Sequence, residues 1–266
     1  MTVGIIGVGN MGSAIAKALR IANPSLELNL LNRSPHKIEA LCQELEAQPF
    51  GLQDLDQFIQ KSDFIFIGVK PKDILDLFNE IQPLLPAQQA KNWVSMLVGF
   101  PLEKLESLTP ENHSWIRMMP NIPIEIGQGY ITYTVGSCCS RQARQEFNQL
   151  FDKVARLEEI PETLFDISGA IAGSGPAFVY QFIEALADAG VRNGLKRELA
   201  LDMAAQTVKG AAAMILETYL HPAILKDKVT SPGGTTIEGI VSLENHQFRS
   251  SVISAVQATV DKTTKI

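Results

Sequence analysis

Three glycines decide most of what the first half of this chain can become. They stand in GIIGVGNMGSAIAKAL as Gly7-x-Gly9-x-x-Gly12, directly after the apolar run Val3–Ile6 and at the start of the helical pattern Met11–Ala22. A strand that turns sharply into a helix needs a residue that permits the tight turn, which suits Gly7. The missing side chain at Gly9 leaves the backbone open to a ligand, and at Gly12 it lets helix and strand close on each other. The helix start presents unpaired N–H groups and the positive end of its dipole, a ready site for phosphate. A bare glycine pattern is weak, but this strand–turn–helix setting specifies a dinucleotide loop with Gly7, Gly9, Asn10, Met11 and Gly12 as candidate contacts. The alternative is a glycine-rich turn that binds nothing.

The segments that follow repeat the alternation. Glu27–Leu31 reads as a second strand and His36 to Ala47 as a polar helix, while Asp63–Val69 and Asn92–Val98 are apolar runs of strand length. Strands apolar on both faces, alternating with helices, imply a parallel sheet covered on both sides. Gly129–Val135 alternates in a less buried way and suits an edge or antiparallel addition. Choice between cofactors is read at the end of the second strand, where an acid would bind the ribose hydroxyls of NADH. Here stand Asn32, Arg33 and Ser34. A guanidinium with short polar neighbours suits a 2′-phosphate, so NADPH is favoured and NADH is the poorer partner. A solvated turn arginine is the alternative. Val69, Lys70 and Pro71 end the Asp63–Val69 strand at the carboxyl edge of the sheet, where the backbone flanks the ribose or nicotinamide. Lys70 could equally point into solvent.

After about Pro161 strand signals stop. Three long helical patterns follow, Pro176–Asn193, Arg197–Tyr219 and Phe248–Thr264, the first two apolar around most of their circumference. About a hundred residues of such helix cannot cover themselves, and packing against the same segment of a second subunit is the simplest remedy. The expected fold is therefore α/β: a Rossmann domain, doubly wound with a mainly parallel sheet, over residues 1–160, then an all-α oligomerisation domain over 161–266. A self-contained monomeric bundle is the alternative.

Composition narrows the partners. A net charge of −6, with no basic run, gives no reason to bind nucleic acid. Cys42, Cys138 and Cys139 form neither a disulfide framework nor a zinc pattern, which points to a reducing cytoplasm, and the four histidines lack metal-ligand spacing. The strand beginning at Val3 leaves no room for a signal peptide, and no apolar run is expected to span a bilayer.

Two small-residue clusters interrupt the helical half. Ala172-Gly-Ser-Gly-Pro-Ala177 opens the long helix, with Ser174 expected to cap it and Pro176 tolerated in its first turn. Thr230-Ser-Pro-Gly-Gly-Thr-Thr-Ile-Glu238 has capping-box form at Thr235-x-x-Glu238, which makes Thr236 the first helical residue. A helix start is an anion site well matched to a carboxylate.

Together GVGNMG, NRS, VKP, Arg117-Met-Met-Pro-Asn121, GSGPAF and DKVTSPGGTTIEGI resemble the pyrroline-5-carboxylate reductase family from end to end. The resemblance implies hydride transfer from NADPH to a cyclic imine, giving L-proline. It implies a helical domain that interlocks with a partner subunit, in dimers that assemble further into rings. By motif, the substrate carboxylate meets the loop of Ser231, Gly233, Gly234, Thr235 and Thr236, and the Thr236 hydroxyl meets the ring nitrogen. Met96-Leu97-Val98 and Ala172 depart from the family's smaller residues and its usual Ser, respectively, which bears on pocket geometry. A β-hydroxyacid dehydrogenase is the nearest rival, but its Gly-x-Gly-x-x-x-Lys lysine is replaced here by Val179, and Lys209 suits a polar stripe. A catalytically idle NADPH-binding sensor is the rival from another class, and it has no need of the SPGGTT loop.

Overall fold

The computed structural model describes residues 1–85, 90–263 and 265. It divides into two compact units, Met1–Ser174 with the C-terminal segment from Thr259, and Gly175–Ala258. The first unit runs β1 (Thr2–Ile6), α1 (Asn10–Ala22), β2 (Glu27–Leu31), α2 (Glu39–Glu44), β3 (Gln48–Phe50), α3 (Leu55–Lys61) and β4 (Phe64–Ile67). It continues with α4 (Ile74–Ile81), β5 (Asn92–Ser95), α5 (Leu102–Glu106), β6 (Ser114–Met119), β7 (Gly129–Val135), α6 (Arg141–Phe151), β8 (Ala155–Glu159) and α7 (Phe165–Ser168).

The eight strands form one sheet in the order β3-β2-β1-β4-β5-β6-β7-β8. β1 to β6 are mutually parallel, β7 runs antiparallel to β6, and β8 is parallel to β7. β7 is thus the expected antiparallel addition, but β8 covers its outer side, so it is not an edge. Side chains alternate across the sheet: Phe64 and Phe66 join Ile5, Ile15 and Leu19 on one face, while Ile65 and Ile67 join Phe58, Phe78 and Trp93 on the other. Burying each such side chain stabilises the fold by about 1.5–3 kcal/mol, which is why these strands read as unbroken apolar runs. The expected helix from His36 to Ala47 is instead a 3-10 turn, Pro35–Lys37, followed by the short α2. Strand order departs in opposite directions from the β1/β4 pair, and that switch point makes a crevice at the carboxyl ends.

The second unit contains helices alone: α8 (Gly175–Arg192), α9 (Arg197–Thr218), α10 (Pro222–Lys228), α11 (Thr235–Asn245) and the greater part of α12 (Phe248–Thr263). α8 meets α9 along a seam of small residues, Ala187, Ala200 and Ala204. A Cβ on Gly190 would stand 3.1 Å from that of Ala200, so the glycine sets how closely they approach. Much larger side chains stay uncovered, among them Met203 at 51% exposure and Ile253 at 70%. The expectation that no apolar run could span a bilayer needs correcting. By length and composition alone α9, at 22 residues, is long and apolar enough.

Candidate active site

Each glycine of the first loop has its own steric reason. Gly7 takes φ +87°, and a Cβ there would fall 2.7 Å from the Val69 nitrogen, so β1 and β4 can converge only with glycine. A Cβ on Gly12 would lie 2.6 Å from the Gly7 carbonyl oxygen. Gly9 is different. Its backbone is extended, open to any residue, and a Cβ would meet no atom of the described residues within 4 Å. What its bare backbone faces is open space, the room a pyrophosphate needs. The first intrahelical bond of α1 is Ser13 N–H to the Gly9 carbonyl, so the N–H groups of Asn10, Met11 and Gly12 precede it, with no acid in the first turn.

Gly7 and Gly9 open into a cavity of about 550 Å³. Asn32, Arg33 and Ser34 line one end of it, and Val69 and Lys70 another, while Pro71 starts the adjoining 3-10 turn. Lys37, one turn after Arg33, lines the cavity too and was not singled out from the sequence. Neither Arg33 nor Lys37 makes an ion pair among the described residues, and the Ser34 hydroxyl caps nothing. Asp73, Asp76 and Glu80 also line the cavity. Four cations, Arg33, Lys37, Lys70 and Lys72, line it without an ion pair among the described residues, which suits an anionic ligand. The cavity fits a dinucleotide phosphorylated on its adenosine ribose.

The second-unit loop is built around a turn. Ser231-Pro-Gly-Gly234 closes with Gly234 N–H to the Ser231 carbonyl at 3.0 Å, with Pro at the second position and Gly233 at φ +67°, the pattern of a type II turn. A Cβ on Gly234 would collide with Ser231 Oγ. Gly234, at φ −80° and ψ 170°, is the N-cap of α11, and Thr235 is its first residue. The expected capping box is therefore absent. Once Thr235 is helical its hydroxyl cannot reach the N–H groups two or three residues ahead, and Glu238 falls one position too late to answer the cap. Neither the Thr235 nor the Thr236 hydroxyl is hydrogen-bonded among the described residues, and no side chain caps the helix start. Ser174 needs a similar correction. Its φ of −91° and ψ of −25° are helical, because a π-helical turn, Gly169–Gly173, runs straight into α8.

Comparison with known proteins follows the same division. Residues 162–266 match the family model for pyrroline-5-carboxylate reductase dimerisation, and residues 2–99 match that for NADP oxidoreductase coenzyme F420-dependent. Pyrroline-5-carboxylate reductase of Glycine max is 37% identical, over 100% of this chain and 96% of its own. That of Treponema pallidum is 35% identical, over 98% and 99% respectively. The chain belongs to the pyrroline-5-carboxylate reductase family. The crystal structure of Plasmodium falciparum pyrroline carboxylate reductase with NADP bound has a TM-score of 0.88 at 32% identity, covering 100% of this chain and 97% of that one. The Streptococcus pyogenes reductase gives 0.87 at 32%, covering 100% and 99%.

The region matched by the dimerisation model contains every helix of the second unit, α9 with its exposed apolar residues included. Val179, at the place of the rival's lysine, lies in α8, and Lys209 is exposed on α9. Gly68 also escaped notice. A Cβ on it would lie 2.7 Å from the Gly7 carbonyl and 3.0 Å from Met96 Cε, so Met96 packs over the end of β4.

Proposed function

We propose that the protein transfers hydride from NADPH to the C=N carbon of 1-pyrroline-5-carboxylate, giving L-proline, with NADH the poorer donor. The observation that carries this reading is the Ser231–Gly234 turn, which delivers a helix start uncapped, and two threonine hydroxyls unengaged, among the described residues. Such a start takes a carboxylate on its N–H groups. The loop of Ser231, Gly233, Gly234 and Thr235 holds the substrate carboxylate, and the Thr236 hydroxyl orients the ring nitrogen.

Bound NADPH supplies the hydride. The chain's own residues bind and orient. Asn10, Met11 and Gly12 face the pyrophosphate, Arg33, Ser34 and Lys37 the 2′-phosphate, and Asn32 the ribose beside it. Val69, Lys70 and Pro71 flank the nicotinamide ribose. A protonated cyclic imine is already electrophilic at carbon, so placing that carbon does most of the catalytic work.

Residues 1–160 serve the cofactor in this reading, and 161–266 serve dimerisation and substrate. Dimers assemble into a ring, in the cytoplasm, where free Cys42, Cys138 and Cys139 stay reduced. NADPH oxidation measured with pyrroline-5-carboxylate, against a panel of 3-hydroxyacids, tests the whole. Turnover of a hydroxyacid with none of the imine would overturn it, and binding of NADPH without turnover of either would make the protein a sensor.

A further inference from the structure

The segment Arg117-Met-Met-Pro-Asn121 has no part in the reading above, yet it leaves β6 on the edge of the sheet that holds Gly7 and Val69. In a doubly wound sheet one half of a dinucleotide lies over the first three strands and the other half over the next three. With the phosphates at β1 and β2, the carboxyl ends of β4, β5 and β6 belong to the nicotinamide.

Asn121 is 8% exposed. Its Oδ1 accepts from the Tyr130 N–H at 2.9 Å, and its Nδ2 donates to the Ala172 carbonyl at 3.1 Å. One end must accept and the other must donate, so an amide satisfies both, whereas a carboxylate would set a negative oxygen against a carbonyl. Ala172 lies within the π-helical turn, which Ser174 N–H closes on the Gly169 carbonyl at 3.0 Å. Such turns are rare and occur often at functional sites. The turn rests on β6: a Cβ on Gly169 would stand 3.2 Å from Met119 Cε. Ser168 Oγ and Thr132 Oγ1 lie 2.9 Å apart at its start. Of these side chains, Asn121 is the one that donates to a carbonyl inside the turn. If the turn reverted to α pitch, everything after it would shift by one residue, about 1.5 Å and 100°.

We propose that Asn121 is a positioning residue for hydride transfer, holding the Ala172–Ser174 backbone of the π-helical turn in place at the nicotinamide end of the cofactor site. The proposal rests on the hydride-transfer reading. Its test uses the full-length protein, with pyrroline-5-carboxylate and with NADPH deuterated at the transferred position. Asn121→Asp keeps the acceptor for Tyr130 and loses the donor to Ala172. We expect kcat to fall at least tenfold, KM for NADPH to stay within twofold, and the isotope effect on kcat to rise. Activity of this variant should recover as pH falls, because a protonated carboxyl again donates to Ala172. Asn121→Ala should lose kcat alike, without that recovery, and Asn121→Ser replaces either variant if it does not fold. An unchanged isotope effect, or a loss of kcat that only tracks the folded fraction, overturns the proposal. So does a KM for NADPH that rises with the loss. Wild type unable to reduce the imine would sink the functional reading instead, before any variant is made.

Discussion

The two units treat their apolar residues in opposite ways. In the first, Ile5, Phe64, Phe66 and Trp93 are completely covered by the same chain. In the second, the buried cluster is three alanines, while Leu201, Met203, Val252 and Ile253 stand exposed. A sheet with helices on both faces closes its own core, and a handful of helices apolar all round cannot. The family model for dimerisation matches this region, so cover from a partner subunit is expected there. Stability of the helical unit should therefore depend on protomer concentration, and that of the first unit should not.

Cutting the chain should break this comparison open, and where the cut falls matters. A fragment ending at Ser174 should fold as a monomer and bind NADPH weakly. One ending at Pro161 should fail to fold. Arg117, 3% exposed, bonds Glu162 at 3.0 Å, approaches Asp166 at 3.6 Å and covers the Phe165 ring at 4.0 Å, and all three partners lie beyond Pro161. Stripping a buried charge of its partner costs about 3–5 kcal/mol, a large share of a domain's stability. Sedimentation and thermal melts check both fragments. Self-association of the Ser174 fragment to the size of the full chain would place the oligomer interface in the wrong unit.

A second contrast lies within the loop of the helical unit. Thr236→Ala keeps its backbone N–H but loses the hydroxyl assigned to the ring nitrogen. Misorientation of a reacting centre costs about a hundredfold, so kcat/KM should fall by that order with melting temperature and NADPH affinity unchanged. With Gly234 as the cap, Thr235→Ala should leave the melting temperature nearly unchanged, in place of the ~1 kcal/mol a true cap would lose. A clear drop in stability for Thr235→Ala alone would restore the threonine to the cap.

What could be read in advance follows from these physical differences. β1, β2, β4 and β5 carry apolar residues on both faces and are plain in the sequence. β6 was hidden because a buried arginine interrupts it, and its ion partners are 45 and 49 residues away. β8, with sequence ARLEE, is a charged edge strand, and β3 is three residues long with a proline at its centre. The glycine loop was legible because its stereochemistry is local. The cap at Gly234 was not, since Thr235 and Glu238 have the right spacing for a box and only the turn before them decides against it. The π-helical turn GAIAG touches Met119 and is bonded by Asn121, 51 residues before Ala172, and no local pattern announces it.

The first unit can be sharpened by separating Arg33 from Lys37. On the proposed reading, Arg33→Ala removes a charge-assisted partner of the 2′-phosphate, worth ~1.5–3 kcal/mol. KM for NADPH should then rise about ten- to a hundredfold with NADH little affected. Lys37→Ala should raise KM for NADPH by less, because a flexible ammonium holds phosphate as a point charge and not as a two-pronged fork. Equal losses with both cofactors would remove these residues from the phosphate.

The smallest effect concerns a buried imidazole at the amino end of β6, inside the sheet. His113 Nδ1 accepts both the Lys91 backbone N–H and the Trp93 indole N–H, each at 3.2 Å, so its proton sits on Nε2, which has no partner among the described residues. A second proton would have to enter at Nδ1, against two donors. Burial, and then the nearby Lys91 ammonium, push the His113 pKa below its ordinary 6.5. The sign follows by linkage. Below 6.5 the unfolded chain takes up a proton that the folded chain refuses, so this contribution is complete above 6.5 and is lost as pH falls toward the folded value. His113→Asn keeps an acceptor for both donors and does not titrate. Thermal melts from pH 8 to pH 5 should therefore show wild type losing stability below 6.5 more steeply than the variant, with little difference in slope above it. Parallel curves throughout would mean that some other group carries the acid sensitivity of this unit.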